Sequence, residues 1–159
     1  MALNSTHQDA YQECARILRD HDRDRYLAGL FAPSDVRANL HALYAFDIEV
    51  GRVPSIVSEA MVGEIRLQWW RDALSGVAHG ELSGAPVLVA LQDTLSGFGL
   101  APDRLITLTE ARIFDLYDDR MPDMVALEGY AGETDAAILQ FAATILSRSP
   151  VPEAADVSG

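Results

Sequence analysis

The chain has 159 residues, 49% of them hydrophobic, and a formal net charge of -12 with arginine as its only basic side chain besides histidine. That is enough apolar material for a folded core, which excludes a disordered chain. The acidic balance excludes nucleic-acid binding, which needs phosphate neutralisation, and weighs against electrostatic attachment to anionic lipid.

Cys14 is the single cysteine, so an internal disulfide is excluded, and a buried apolar thiol is the expected reading. The opening MALNSTHQDAYQE has no basic region followed by an apolar run, so no signal peptide is read there. No stretch reaches the roughly 18 apolar residues that cross a bilayer. The expected setting is cytoplasmic, with at most peripheral membrane contact.

In chain order, residues 8–21 read as a helix with Ala10, Cys14, Ile17 and Leu18 on one face. A charged run, Asp20–Arg25, leads into Tyr26–Phe31, and Pro33 breaks the chain. Ser34 is the expected N-cap of a second helix with Asp35 in its first turn, carrying Val36, Leu40, Leu43, Tyr44 and Val50 at helical spacing. Gly51 and Pro54 end or kink it. A third helix is expected over Glu59–Leu74, with Met61, Ile65, Trp69 and Leu74 as its apolar positions. Gly76, Gly80 and Gly84 mark a loop, and Pro86 opens a fourth helix, Val87–Leu95, closed by Gly97 and Gly99. A fifth, Asp103–Tyr117, follows Pro102, and a last one is expected over Met124–Leu146. Val87–Val89 has strand-like composition but no second run to pair with. The fold class is all-α, and Pro150–Gly159 reads as a frayed tail.

Several residues invite a chemical reading. Arg37 lies in the first turn of its helix, where the dipole disfavours a cation, so it points at an anion such as a diphosphate or pairs with an acid such as Asp35. Asp47 and Glu49 are two apart on a largely apolar helix; they point in different directions and make a poor shared metal site. The competing reading is a surface acid or a buried salt bridge. Asp115, Asp118 and Asp119 have the spacing of a metal face, or are solvated acids at a helix end. Trp69 and Trp70 sit about a hundred degrees apart on one helix and read as core or interface anchors. His7, His21, His41 and His79 are scattered and make no helix-spaced zinc pair.

The motifs taken together resemble the squalene/phytoene synthase family. Tyr26–Pro33 (YLAGLFAP), Arg37 and Leu43–Phe46 (LYAF) are similar to the stretch leading into that family's first aspartate-rich motif. Pro86–Leu91, Phe114–Leu116 and Leu127–Thr134 (LEGYAGET) continue the likeness in the same order, over most of residues 20–146. The resemblance implies an isoprenoid-synthase-type helical bundle, with residues 1–150 its N-terminal portion. It implies magnesium held by two aspartate-rich motifs and two prenyl diphosphates joined head to head in an apolar cavity that shelters a carbocation. Arg37, Tyr44, Phe46 and Tyr130 are the residues it assigns to substrate, with Arg37 at the pocket mouth and Tyr130 across from Tyr44.

The chain departs from that pattern. Gly51 and Ser55 stand where the first motif has aspartates, and Ile48 replaces the arginine before it. The second motif is expected beyond residue 150, which implies a chain nearer twice this length. FDIEVGRVPSIVSE followed by GEIRLQWWRDAL is similar to the branch related to mitochondrial complex I assembly factor 6, which keeps the fold with degenerate aspartates. Three readings follow. One is a degenerate synthase fold that binds a prenyl chain, another apolar ligand or a protein partner. The second is an active magnesium-dependent prenyltransferase using Asp47, Glu49, Asp115 or Asp119 as substitute ligands. The third is a helical interaction module.

Overall fold

A computed structural model of the chain describes residues 5–77, 85–117 and 119–147. Every regular element among the described residues is helical: α1 Ser5–His21, α2 Arg23–Gly29, α3 Ser34–Gly51, α4 Val53–Ile56, α5 Ala60–Leu74, α6 Pro86–Phe98, α7 Asp103–Ala111, a 3-10 turn Arg112–Leu116, α8 Met124–Glu133 and α9 Asp135–Ser147. The expectations on Asp118, His79, Gly80, Gly84 and the tail Pro150–Gly159 fall outside the described residues.

α3 is the axis of the bundle. Its buried residues run around the helix, from Val36 and Leu40 through Ala42, Leu43, Ala45 and Phe46 to Ile48 and Val50. A helix with buried residues all round must be enclosed, and α1, α6 and α9 pack against it. α1 contributes the expected face, Ala10, Cys14, Ile17 and Leu18, together with Tyr11. Polar groups between these helices satisfy one another. The Tyr11 hydroxyl donates to Asp93 at 2.7 Å and shares a bond with Thr94 Oγ1, while Asn39 Nδ2 donates to both Tyr11 and Thr94 at 3.1 Å. Buried hydroxyls left without partners would each cost a kcal/mol or more, on the order of 1–3.

Helix ends follow local chemistry, with three departures from the sequence reading. Pro33, not Ser34, holds the cap position of α3, and its carbonyl accepts from the Val36 and Arg37 amides. The expected long helix after Pro122 is two helices. Thr134 sits at φ -101°, ψ -92°, bonding back to the Tyr130 carbonyl and accepting from Ala137 and Ile138. The stretch after Ala111 tightens into a 3-10 turn instead of continuing to Tyr117. The side-chain caps lie elsewhere: Asp22 accepts from the Arg25 amide at the start of α2, and Asp123 from the Ala126 amide at the start of α8. Gly99 closes α6 at φ 61°, a left-handed conformation that favours glycine.

The inward face of α5 also differs. Gly63, Leu67, Trp70, Ala73 and Leu74 are buried, whereas Met61 is 72% exposed, Ile65 65% and Trp69 40%. Both stripes are apolar, so periodicity alone did not choose between them. Close approach did: at Gly63 an added Cβ would lie 2.3 Å from Leu116 of the 3-10 turn, so only the glycine face admits that neighbour.

Candidate functional site

Four of the residues assigned to substrate and metal, Tyr44, Asp47, Asp115 and Tyr130, lie around one ionic network. Asp47 is buried on α3. Arg25 Nη1 of α2 donates to its Oδ2 at 2.7 Å, and Arg112 Nη2 of the 3-10 turn donates to its Oδ1 at 3.3 Å. Arg112 Nη1 also donates to the Tyr130 hydroxyl at 2.8 Å, and that hydroxyl donates to Asp115 at 2.7 Å. The Arg25 guanidinium lies 5.1 Å from the centre of the Tyr44 ring. Tyr44 and Tyr130 therefore stand at the two ends of a chain of contacts that runs through Arg25, Asp47 and Arg112. Asp22 and Asp135 lie at its edges, 3.5 Å from Arg25 and 3.8 Å from Arg112.

Burial works against the charge of Arg112, yet Tyr130, Asp47 and Asp115 outweigh it and its pKa is raised. Burial, reinforced by the bond to Asp115, pushes the Tyr130 phenol up to about 12. Tyr44 is raised by burial against the opposing pull of Arg25. The network is thus fixed at neutral pH, with charged arginines and neutral phenols.

The remaining assigned residues do not converge on it. Arg37 Nη2 donates to the carbonyls of Leu30 and Ala32, at 2.9 and 3.0 Å, and so ties down the chain after α2. Phe46 is fully buried with its ring edge-on to Trp70, at a centroid distance of 5.2 Å. Tyr130 lines a cavity of about 420 Å³ with Phe114, Met121 and Pro122. Gly51 and Ser55 are exposed, on opposite sides of the break between α3 and α4.

The donor set does not fit a magnesium–diphosphate centre. Such an ion takes carboxylate oxygens with free lone pairs and keeps several waters. Asp47 is occupied by two guanidinium groups, Asp115 by Tyr130 and Arg112, and Asp119 is an exposed residue outside the network. Among the described residues no group of three or more His, Cys, Asp or Glu converges for a metal. Asp47 and Glu49 diverge as their spacing requires. Arg25 and Arg112 escaped the sequence reading, because nothing in a charged run or in the i,i+3 pair Arg112–Asp115 marks a partner 22 or 65 residues away.

Glu49 faces a second feature, a groove of about 500 Å³ between α1, α3, α4, α5 and α6. Ile17, Val53, Ile56, Val87 and the two tryptophans form its apolar walls, with Glu13, Glu49 and Arg66 as its charged groups. Trp69 stands edge-on to Trp70 at 5.1 Å, so the groove is floored by buried Trp70 and flanked by exposed Trp69. No helix among the described residues is long and apolar enough to cross a membrane.

The profile of the family described as squalene/phytoene synthase matches residues 18–159. Among curated proteins, the chain is similar to "NADH dehydrogenase (ubiquinone) complex I, assembly factor 6" of Homo sapiens, 29% identical over 133 residues, covering 84% of this chain and 40% of the relative. The Bos taurus protein of that name is 28% identical over 144 residues, 91% of this chain and 43% of the relative. The Dictyostelium discoideum homolog is 23% identical over 119 residues, 74% of this chain and 33% of the relative. The chain thus spans less than half the length of the curated relatives it matches.

Proposed function

The chain belongs to the squalene/phytoene synthase family, and we propose that it acts there as an assembly factor for NADH dehydrogenase (ubiquinone) complex I, by binding protein partners rather than by joining prenyl diphosphates. The observation that carries this reading is the state of Asp47. Diphosphate ionisation needs metal-bound carboxylates, and this carboxylate is buried between Arg25 and Arg112. The glycine and serine at positions 51 and 55 offer no replacement. The names of the relatives support the assembly half of the reading.

In this reading Arg37, Tyr44, Phe46 and Tyr130 maintain the scaffold, and the old cavity chemistry is closed off by the ionic network. The test is deletion of the gene, followed by native-gel separation of respiratory complexes and in-gel NADH dehydrogenase staining. Loss of the assembled complex, restored by the full-length gene product, is the expected outcome. An unchanged complex would overturn the proposal.

A further inference from the structure

Glu49 is half-buried, and among the described residues its carboxylate has no hydrogen bond or ion pair. It faces the groove floored by Trp70 and flanked by Trp69. A carboxylate in an apolar setting is stabilised most by a cation that enters with its own apolar flanks. An exposed indole beside it adds a face on which a guanidinium or ammonium group can lie. Glu13, the other acid of the groove, is already bonded to Arg16. Arg66 is exposed on the α5 side and repels a cation there, which leaves the Glu49 side as its place.

Trp69 also ends an exposed apolar stripe on α5, where Met61, Ile65 and Trp69 recur every four residues with Val62 beside them. Eight residues of helix cover about 12 Å. A stripe of that length exceeds what a small amine covers and matches two turns of a docked helix. The net charge of -12 favours a basic occupant across the whole surface.

We propose that this groove docks an amphipathic helix of a partner protein, with an Arg or Lys of that helix paired to Glu49 and its apolar residues on Trp69, Ile65 and Met61. The proposal rests on the assembly reading, because it assumes that the chain works through a protein partner, and it names the chemistry of that partner's segment. A further segment of the same protein, a membrane surface and a second copy of the chain are the competing occupants.

The experiment is selection of a displayed library of helical peptides against the full chain, followed by affinity measurement with Glu49→Gln and Trp69→Ala. The expected winners carry a basic residue between apolar ones. They lose about tenfold in affinity on Glu49→Gln, equivalent to about 1.4 kcal/mol, and a similar factor on Trp69→Ala. Replacing the peptide's basic residue by Gln removes the effect of Glu49→Gln. Winners without a basic residue, winners indifferent to both substitutions, or no winners at all would overturn the proposal. Self-association abolished by Trp69→Ala would assign the groove to a second copy, groove-dependent binding to phosphatidylcholine vesicles would assign it to a membrane, and peptides that bind residues 1–159 but not the full-length gene product would assign it to a further segment of the same protein; each of these overturns it too. Failure of the peptides with complex I still lost on gene deletion would sink the groove alone. Peptide binding with complex I intact would sink the assembly role alone.

Discussion

Asp47 shows how one residue is read differently by sequence and by structure. On the sequence it is an acid in an apolar helix, open as a metal ligand or as a salt bridge. In the fold it lies between two arginines drawn from distant segments, Arg25 and Arg112. Removing one partner from a buried ionic cluster leaves the others desolvated without compensation, which costs about 3–5 kcal/mol. Asp47→Ala should therefore lower the free energy of urea unfolding by about 3 kcal/mol, the low end because Arg25 is partly exposed. Tyr130→Phe should cost only about 1 kcal/mol, since its ring remains and one hydroxyl group is lost from Asp115 and Arg112. Equal small losses for both would mean that Asp47 is solvated and the network contributes little.

Among the elements, those with one apolar face were legible and those with two were not. α1 and α6 lie close to where periodicity and Pro86 place them, because only one face of each can be buried. α5 offers two apolar stripes, and its orientation rests on the contact between Gly63 and Leu116, which joins residues far apart in sequence. The break at Thr134 was hidden for a related reason. Threonine is tolerated in helices, and only the packing of α8 on α7 and α9 on α3 demands a change of direction there. Gly63→Ala tests the α5 contact. Helix propensity alone would make the change stabilising by up to about 1 kcal/mol. The Cβ placed 2.3 Å from Leu116 Cδ2 and 3.2 Å from its Cγ should reverse the sign, for a net loss of about 1–2 kcal/mol. Gly129→Ala, in the exposed interior of α8 with nothing within 4 Å, should instead gain about 0.5–1 kcal/mol in the same denaturation assay.

At the scale of the whole molecule, the fold class and family were carried by the order of many weak motifs, whereas the site depended on what those motifs had been rebuilt into. The resemblance implies two missing aspartates at Gly51 and Ser55; the arginine clasp around Asp47 is visible only after folding. The two facts make separable claims about how the family's chemistry would be lost in the proposed reading. If only the ligands are gone, Gly51→Asp with Ser55→Asp should restore magnesium-dependent binding of farnesyl diphosphate. If the surroundings have changed as well, it should not. The structure favours the second. α3 ends at Gly51 and α4 begins at Val53, so the two positions do not share one continuous helix face. Ile48 supplies no cation for the diphosphate, and the nearby carboxylate of Asp47 is held by Arg25 and Arg112. Both positions are exposed, and an added Cβ at Gly51 meets nothing within 4 Å, so the double variant should fold with a change of less than about 1 kcal/mol. Calorimetric titration of farnesyl diphosphate into the full-length variant, with and without magnesium, should then give no magnesium-dependent heat. A magnesium-dependent signal would show instead that the pocket survives intact around two lost ligands, and that the ionic network closes nothing.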